Sequence, residues 1–217
     1  VSIFITFEGP DGSGKSTQIH LLAEYLRANG HTVVTTREPG GTPIGDQIRA
    51  VLHDLNNTEM VAEAEILLYS ASRAQHVGQL IRPALERGHV VLSDRYADST
   101  MAYQGYGRGL DLMALRRITE FATGGLTPDL TIYLDCPVEE GLERKQQAQA
   151  SGAGEWNRLD REAVEFHRRV RQGYLALAAA EPRRWLVLDA CRSIEEIQAK
   201  IQPAVQSVLA VKLTADG

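Results

Sequence analysis

The chain has 217 residues, 43% of them hydrophobic, and a formal net charge of −5. That size suits one α/β domain over residues 1–217 that buries its core without staples, and the acidic balance gives no sign of a nucleic-acid polymer as partner. The only cysteines, Cys136 and Cys191, form no C-x-x-C pair, so no disulfide or metal framework is expected and a reducing cytoplasm fits.

In chain order, the apolar run Ile3–Phe7 predicts a first strand. It leads into Gly9-Pro10-Asp11-Gly12-Ser13-Gly14-Lys15-Ser16, a G-x-x-x-x-G-K-[ST] loop, with Ile19, Leu22, Ala23 and Leu26 at helical spacing behind it. Strand, glycine loop and helix in that order form a phosphate cradle: glycines let successive N–H groups turn inward, and the helix dipole points at the same anion. Lys15 is placed to reach the β/γ-phosphates and the Ser16 hydroxyl to ligate Mg²⁺.

A second strand, Thr32–Thr36, ends at Arg37-Glu38-Pro39-Gly40-Gly41. The stretch Glu63–Leu85 reads as helix, with Tyr69 and Arg73 four apart on one face; they can stack on a base and bond its carbonyl, or Tyr69 can be ordinary core. The third strand, Val90–Ser93, runs into Asp94 and Arg95. A carboxylate there can hold Mg²⁺ and a guanidinium beside it a second phosphate; the bland reading is a strand-end salt bridge. In Asp98–Gly109, Thr100, Tyr103 and Gln104 share a helical face fit to read a base edge and pack a sugar. The fourth strand is Leu130–Leu134 and the fifth Trp185–Leu188, ending near Asp189 and Arg192.

Between the last two strands, Lys145–Asn157 is polar, small and glycine-containing, flanked by Arg144, Lys145 and Arg158. It reads as a loop between two helices, either a plain surface loop or a mobile lid over about 144–158 that excludes water. The strand–helix alternation predicts a five-stranded parallel sheet flanked by helices, with ligands at the carboxyl ends of the strands. No apolar run approaches the roughly 20 residues of a membrane span, no basic segment precedes the first strand as in a signal peptide, and the six histidines show no metal-ligand spacing.

A P-loop alone does not choose among kinases, GTPases and ATP-driven machines, although no Asn-Lys-x-Asp guanine reader is present. The second constellation narrows the choice. Phe7–Thr17, Arg37-Glu38-Pro39-Gly40-Gly41-Thr42, Arg73-Ala74-Gln75-His76, Asp94-Arg95-Tyr96, Ala102-Tyr103-Gln104-Gly105 and Pro128–Asp135 together resemble the thymidylate kinases, in the right order over most of the chain. The resemblance implies a P-loop fold of the nucleoside monophosphate kinase kind, with a lid, passing the ATP γ-phosphate to dTMP with Mg²⁺. It implies a donor site at Gly9, Asp11 and Gly12–Thr17 (Ser13, Gly14, Lys15, Ser16), with Arg192 beside adenine. On the acceptor side it implies Asp11 on the 3′-hydroxyl, Glu38 and Arg95 at the monophosphate, Arg49 near it, and Tyr69 stacked on thymine. Arg73 would bond the base carbonyl, Thr100 and Gln104 would lie along the base edge, and Tyr103 would crowd the 2′ position. With no arginine inside the P-loop, the chain resembles the bacterial lid-arginine type; Arg158 and then Arg144 are the expected cations at the transferring phosphate, with Lys15, Arg95 and Asp94 completing the catalytic set. The family also implies a homodimer, for which Glu63–Leu85 is a candidate face. The rival readings are a kinase for another deoxynucleotide or a deoxynucleoside, and a P-loop regulatory protein that binds ATP.

Overall fold

The structure is a computed structural model that describes residues 2–152 and 157–215. Strands β1 (Ile3–Glu8), β2 (Val33–Arg37), β3 (Val90–Asp94), β4 (Leu130–Asp135) and β5 (Trp185–Asp189) form a parallel sheet in the order β2-β3-β1-β4-β5. Each lies within a residue of its expected position, because short runs rich in β-branched residues offer no helical stripe; the three central strands are buried on both faces and the edge strands β2 and β5 only in part. All six residues of β1 are buried. Ile3 lies opposite Val90 and Ile5 opposite Leu130, which makes β1 the centre of the sheet.

Helices α1 (Lys15–Ala28), α2 (Pro43–His53), α3 (Ala62–His76), α4 (Arg82–Glu86), α5 (Ala97–Thr100), α6 (Leu112–Thr123), α7 (Val138–Ala150), α8 (Val164–Ala180) and α9 (Ile194–Ala215) cover the sheet. On one face Ile3, Ile5 and Phe7 pack with Leu22 and Leu26 of α1 and Ile201 and Val205 of α9. On the other, Phe4 and Val91 meet Val77, Ile81 and Tyr96. A third cluster joins Tyr133 to Phe166 and Tyr174 of α8. Among the described residues no helix is long and apolar enough to cross a membrane.

The expected helix Glu63–Leu85 is present but not uniform: π-helical turns at Val77–Ile81 join α3 to α4. Pro83 has no N–H to donate and its ring would collide with the carbonyl four residues back, so the helix widens ahead of it. A second π-helical stretch, Met101–Gly107, prolongs α5. The expected loop at Lys145–Asn157 is corrected at its start. Helix α7 continues through Ala150, and Gly152 at φ 74° follows its end. Asn157 then caps a short 3₁₀ turn, Arg158–Arg161. The part of the expected lid at residues 153–156 lies outside the described residues.

Candidate active site

The phosphate cradle is built by what its helix lacks. Helix α2 is capped by Thr42 Oγ1, which accepts from Gly45 N at 3.0 Å, and α6 by Asp111 Oδ1, which accepts from Ala114 N at 2.7 Å. Helix α1 starts from Gly14, left-handed at φ 88°, with no side-chain cap and no acid in its first turn. Its leading N–H groups are left for an anion. Gly12 is also left-handed (φ 81°), and a Cβ there would stand 2.6 Å from the Gly141 carbonyl, so glycine is required. Gly9 would likewise press on Leu134 O, and the Ser13 hydroxyl is buried nearby without a hydrogen-bond partner.

The loop opens onto a cleft of about 540 Å³ at the carboxyl edge of the sheet. Lys15 lies folded over the loop, its Nζ donating to Gly9 O (3.1 Å) and Pro10 O (3.0 Å) and standing 3.9 Å from Asp94 Oδ1. Ser16 Oγ donates to Asp94 Oδ2 at 3.4 Å. Burial, with Arg95 beside it, draws the Lys15 amine below its usual range. Asp11 accepts from Arg95 Nη2 at 2.7 Å and from Lys145 Nζ. Burial would raise its carboxyl, but Arg95, Lys15 and Lys145 together hold it well below the ordinary range. Lys145 also pairs with Asp160 at 2.6 Å.

Arg95 is the one non-glycine residue with positive φ (72°) among those described. Its amide bonds Phe7 O at 2.9 Å and its carbonyl accepts from Ser93 Oγ at 2.8 Å, which fixes the turn. The guanidinium lies over the Tyr103 ring, 5.0 Å from the centroid, and reaches Tyr174 OH at 3.3 Å and Ser99 Oγ at 3.4 Å. Behind these hydroxyls sits Glu8, fully buried. It accepts from Ser99 Oγ (2.6 Å), Tyr174 OH (2.7 Å) and Tyr96 N (2.8 Å). Burial, and then the neighbouring Asp98, push the Glu8 carboxyl up to about 7.

The acceptor-side residues meet in the same cleft: Glu38, Arg49, Tyr69, Arg73, Thr100, Tyr103 and Gln104 all line it. Their partners differ from expectation. Arg73, 1% exposed, spends its guanidinium on Glu38 Oε2 (2.8 Å), Thr100 Oγ1 (2.8 Å) and Tyr96 O (3.0 Å). Glu38, joined to Pro39 by a cis peptide, also holds His76 Nδ1 at 3.1 Å. Glu38 and Arg73 are thus one buried ion pair, with remaining guanidinium N–H groups for a ligand. Gln104 Nε2 donates to Glu65 Oε1 at 2.8 Å, and Arg49 Nη1 donates to Pro39 O at 3.1 Å.

The lid cations diverge most from the expectation. Arg158 does not line the cleft; its guanidinium pairs with buried Glu65, which also takes Arg108 Nη2 at 3.1 Å. A buried carboxylate in α3 is a stronger attractor than open cleft, since it would otherwise be uncompensated. Arg144 does line the cleft but is held by Glu140 and by Ala190 O at 3.0 Å. Arg192 is exposed outside the lining, 3.3 Å from Asp189. Sequence reasoning named Lys145 beside the lid without placing its amine between Asp11 and Asp160, and missed Glu8, Ser99 and Tyr174 behind Arg95. Only Phe7-Glu8-Gly9, a charge inside an apolar strand, could have signalled Glu8.

A family model described as thymidylate kinase matches residues 7–201. Thymidylate kinase of Roseiflexus sp. (strain RS-1) is 57% identical over 217 residues, covering 97% of this chain and 96% of that one. That of Deinococcus radiodurans is 56% identical over 203 residues, covering 94% and 96%. The crystal structure of thymidylate kinase from Ehrlichia chaffeensis superposes with a TM-score of 0.75 at 33% identity, covering 94% of this chain and 98% of that one. With its uncapped phosphate cradle and second cationic pocket in one cleft, and with relatives of this identity along nearly its whole length, the chain belongs to the thymidylate kinase family.

Proposed function

We infer that this protein transfers the γ-phosphate of ATP to dTMP, giving dTDP. The observation that carries the reading is the junction of two anion sites in one cleft, with Asp11 of the P-loop bonded to Arg95 at the end of β3. In this reading the triphosphate lies on the α1 N-terminus with Lys15 along it. Arg95 holds the acceptor phosphate, whose oxygen attacks the γ-phosphorus in line while ADP departs. No covalent enzyme intermediate is needed, because phosphoryl transfer responds chiefly to positioning and charge neutralisation. Ser16 and Asp94 offer a hydroxyl and a carboxylate 3.4 Å apart, hard oxygen donors suited to Mg²⁺. They would hold it directly or through water, where it supplies charge neutralisation at the phosphate oxygens.

Among the cations beside the lid we assign Lys145 first to the transferring phosphate, since its amine already meets Asp11 of the P-loop, whereas Arg144 is held by Glu140 and Ala190 O. Tyr69 would stack on the base, with Arg73, Thr100 and Gln104 along its edge and Tyr103 against the sugar. Asp11 would turn from Lys145 to the 3′-hydroxyl. A cytoplasmic homodimer belongs to the same proposal. Both cysteines are free thiols, and α2, α3 and α6, packed side by side, expose Ile44, Val51, Leu67, Met113 and Phe121.

A coupled assay of ADP release with dTMP, dUMP, dCMP and thymidine tests the reading. dTMP should be the best acceptor, with dUMP retained at about 10–200-fold lower kcat/KM, because one methyl is worth only about 1–3 kcal/mol. Turnover of thymidine without dTMP would move the protein to the nucleoside kinases. Absence of calorimetric dTMP binding would favour an ATP-binding regulator.

A further inference from the structure

Cys136, Glu140 and Cys191 each bring a ligand atom to within 4.8 Å of the others. Strand register causes the meeting. Asp135 lies opposite Asp189 at the ends of β4 and β5, and Ala190 N donates to Asp135 O at 2.8 Å. The residues just past both strands therefore stand side by side, and Glu140 projects from the first turn of α7, which starts two residues after Cys136. The Cys191 thiol donates to Glu140 Oε2 at 3.1 Å, while Oε1 of the same carboxylate is held by Arg144. Cys136 is buried on the cleft side and Cys191 is exposed.

We propose that Cys136, Cys191 and Glu140 form a binding site for a thiophilic divalent cation, zinc by its chemistry. Two sulfurs and one carboxylate oxygen are a donor set that selects zinc over Mg²⁺ or Ca²⁺. The charges close: two thiolates and a carboxylate carry three negative charges, which a divalent cation and Arg144 offset. Arg144 then acts as the outer partner that orients the ligating carboxylate. Binding exchanges the two thiol protons, released to solvent, for the metal. Because those protons are displaced, affinity should rise with pH. Solvent at Cys191 gives an entry path and a fourth ligand. The occupied site clamps the start of α7, which carries Arg144 and Lys145 to the cleft, onto the turn after β5.

The full-length chain, reduced and stripped with chelator, is titrated anaerobically with Co²⁺ and then with Zn²⁺. A thiol count under denaturing conditions confirms that both cysteines are reduced. The expected result is one equivalent of Co²⁺ per chain, with near-ultraviolet thiolate-to-cobalt charge transfer, displaced by Zn²⁺. Cys136→Ser and Cys191→Ser each lose most of that absorption. Glu140→Gln, which puts a neutral amide in place of an anionic ligand, keeps it but binds Zn²⁺ more weakly against a chromogenic chelator, by at least the roughly tenfold that loss of an outer partner costs. Circular dichroism verifies that each variant is folded. A folded, reduced wild type without the charge-transfer band overturns the proposal. So does a band that persists in the C136S/C191S double variant, or a thiol pair that forms a disulfide in air but takes no metal when reduced.

Discussion

The Arg95 guanidinium lies 2.7 Å from Asp11 Oδ1 and so ties the end of β3 to the variable part of the P-loop. One ion pair thereby links the phosphate cradle to the second cationic pocket of the cleft. Its partners are not equivalent: Asp11 is shared with Lys145, whereas Arg95 is braced by Tyr103, Tyr174 and Ser99.

Arg95→Ala should therefore lower kcat by about a hundredfold to a thousandfold, the usual loss when one charge-stabilising donor is removed. Binding of an ATP analogue, followed by calorimetry, should stay close to wild type because α1 and Lys15 are untouched. Near-normal transfer to dTMP in this variant would remove Arg95 from the mechanism.

Lys145 and Arg158 compete for the role of phosphate cation. Lys145→Met should lower kcat more than Arg158→Met does, since the Lys145 amine faces the cleft and Arg158 is engaged with Glu65. Arg158→Met should instead act on thermal stability, leaving Arg108 and Gln104 to satisfy Glu65. Steady-state kinetics and melting curves on the two variants give the ranking, and a larger kcat loss in the arginine variant reverses it.

Glu8 gives stability a pH slope. Its carboxyl stands at about 7 in the folded protein against an ordinary 4.5. A carboxyl raised on folding contributes fully below the unfolded value, and that contribution is lost as pH rises through the folded one. Between about pH 4.5 and 8 this group should remove on the order of 3 kcal/mol. Glu8→Gln cannot ionise, so its urea unfolding free energy should fall less between pH 5 and pH 8 than that of the wild type. Asp11, held low by its cations, acts with opposite sign and only as pH falls through the ordinary carboxylate range. Parallel declines in both proteins would clear Glu8 as the source.

The sheet and the cradle were legible because each is written in contiguous residues: β-branched runs for the strands, and glycines at fixed spacing for the loop. The lid segment was misread for a local reason. Lys145–Ala150 is polar and small, yet lysine, glutamine and alanine are among the strongest helix formers, so α7 simply continues until it reaches the glycine at 152. The bracing of Arg95 was illegible for a different reason. Ser99 and Tyr174 lie 91 and 166 residues from Glu8, and only the packing of α8 on α5, its π-helical extension and β4 brings the three together. The destination of Arg158 was hidden similarly, since its partner Glu65 lies 93 residues away.

The left-handed backbone at Arg95 places a side chain needed for chemistry where glycine would sit at no steric cost. For an L-residue that conformation costs about 1–2 kcal/mol. Arg95→Gly should then recover part of the stability lost with the Asp11 ion pair, leaving it more stable than Arg95→Ala by denaturant titration while equally inactive. At this position selection for turnover and selection for a durable fold pull in opposite directions. A stability screen run without an activity readout would therefore drift toward glycine here and return a robust protein that no longer makes dTDP.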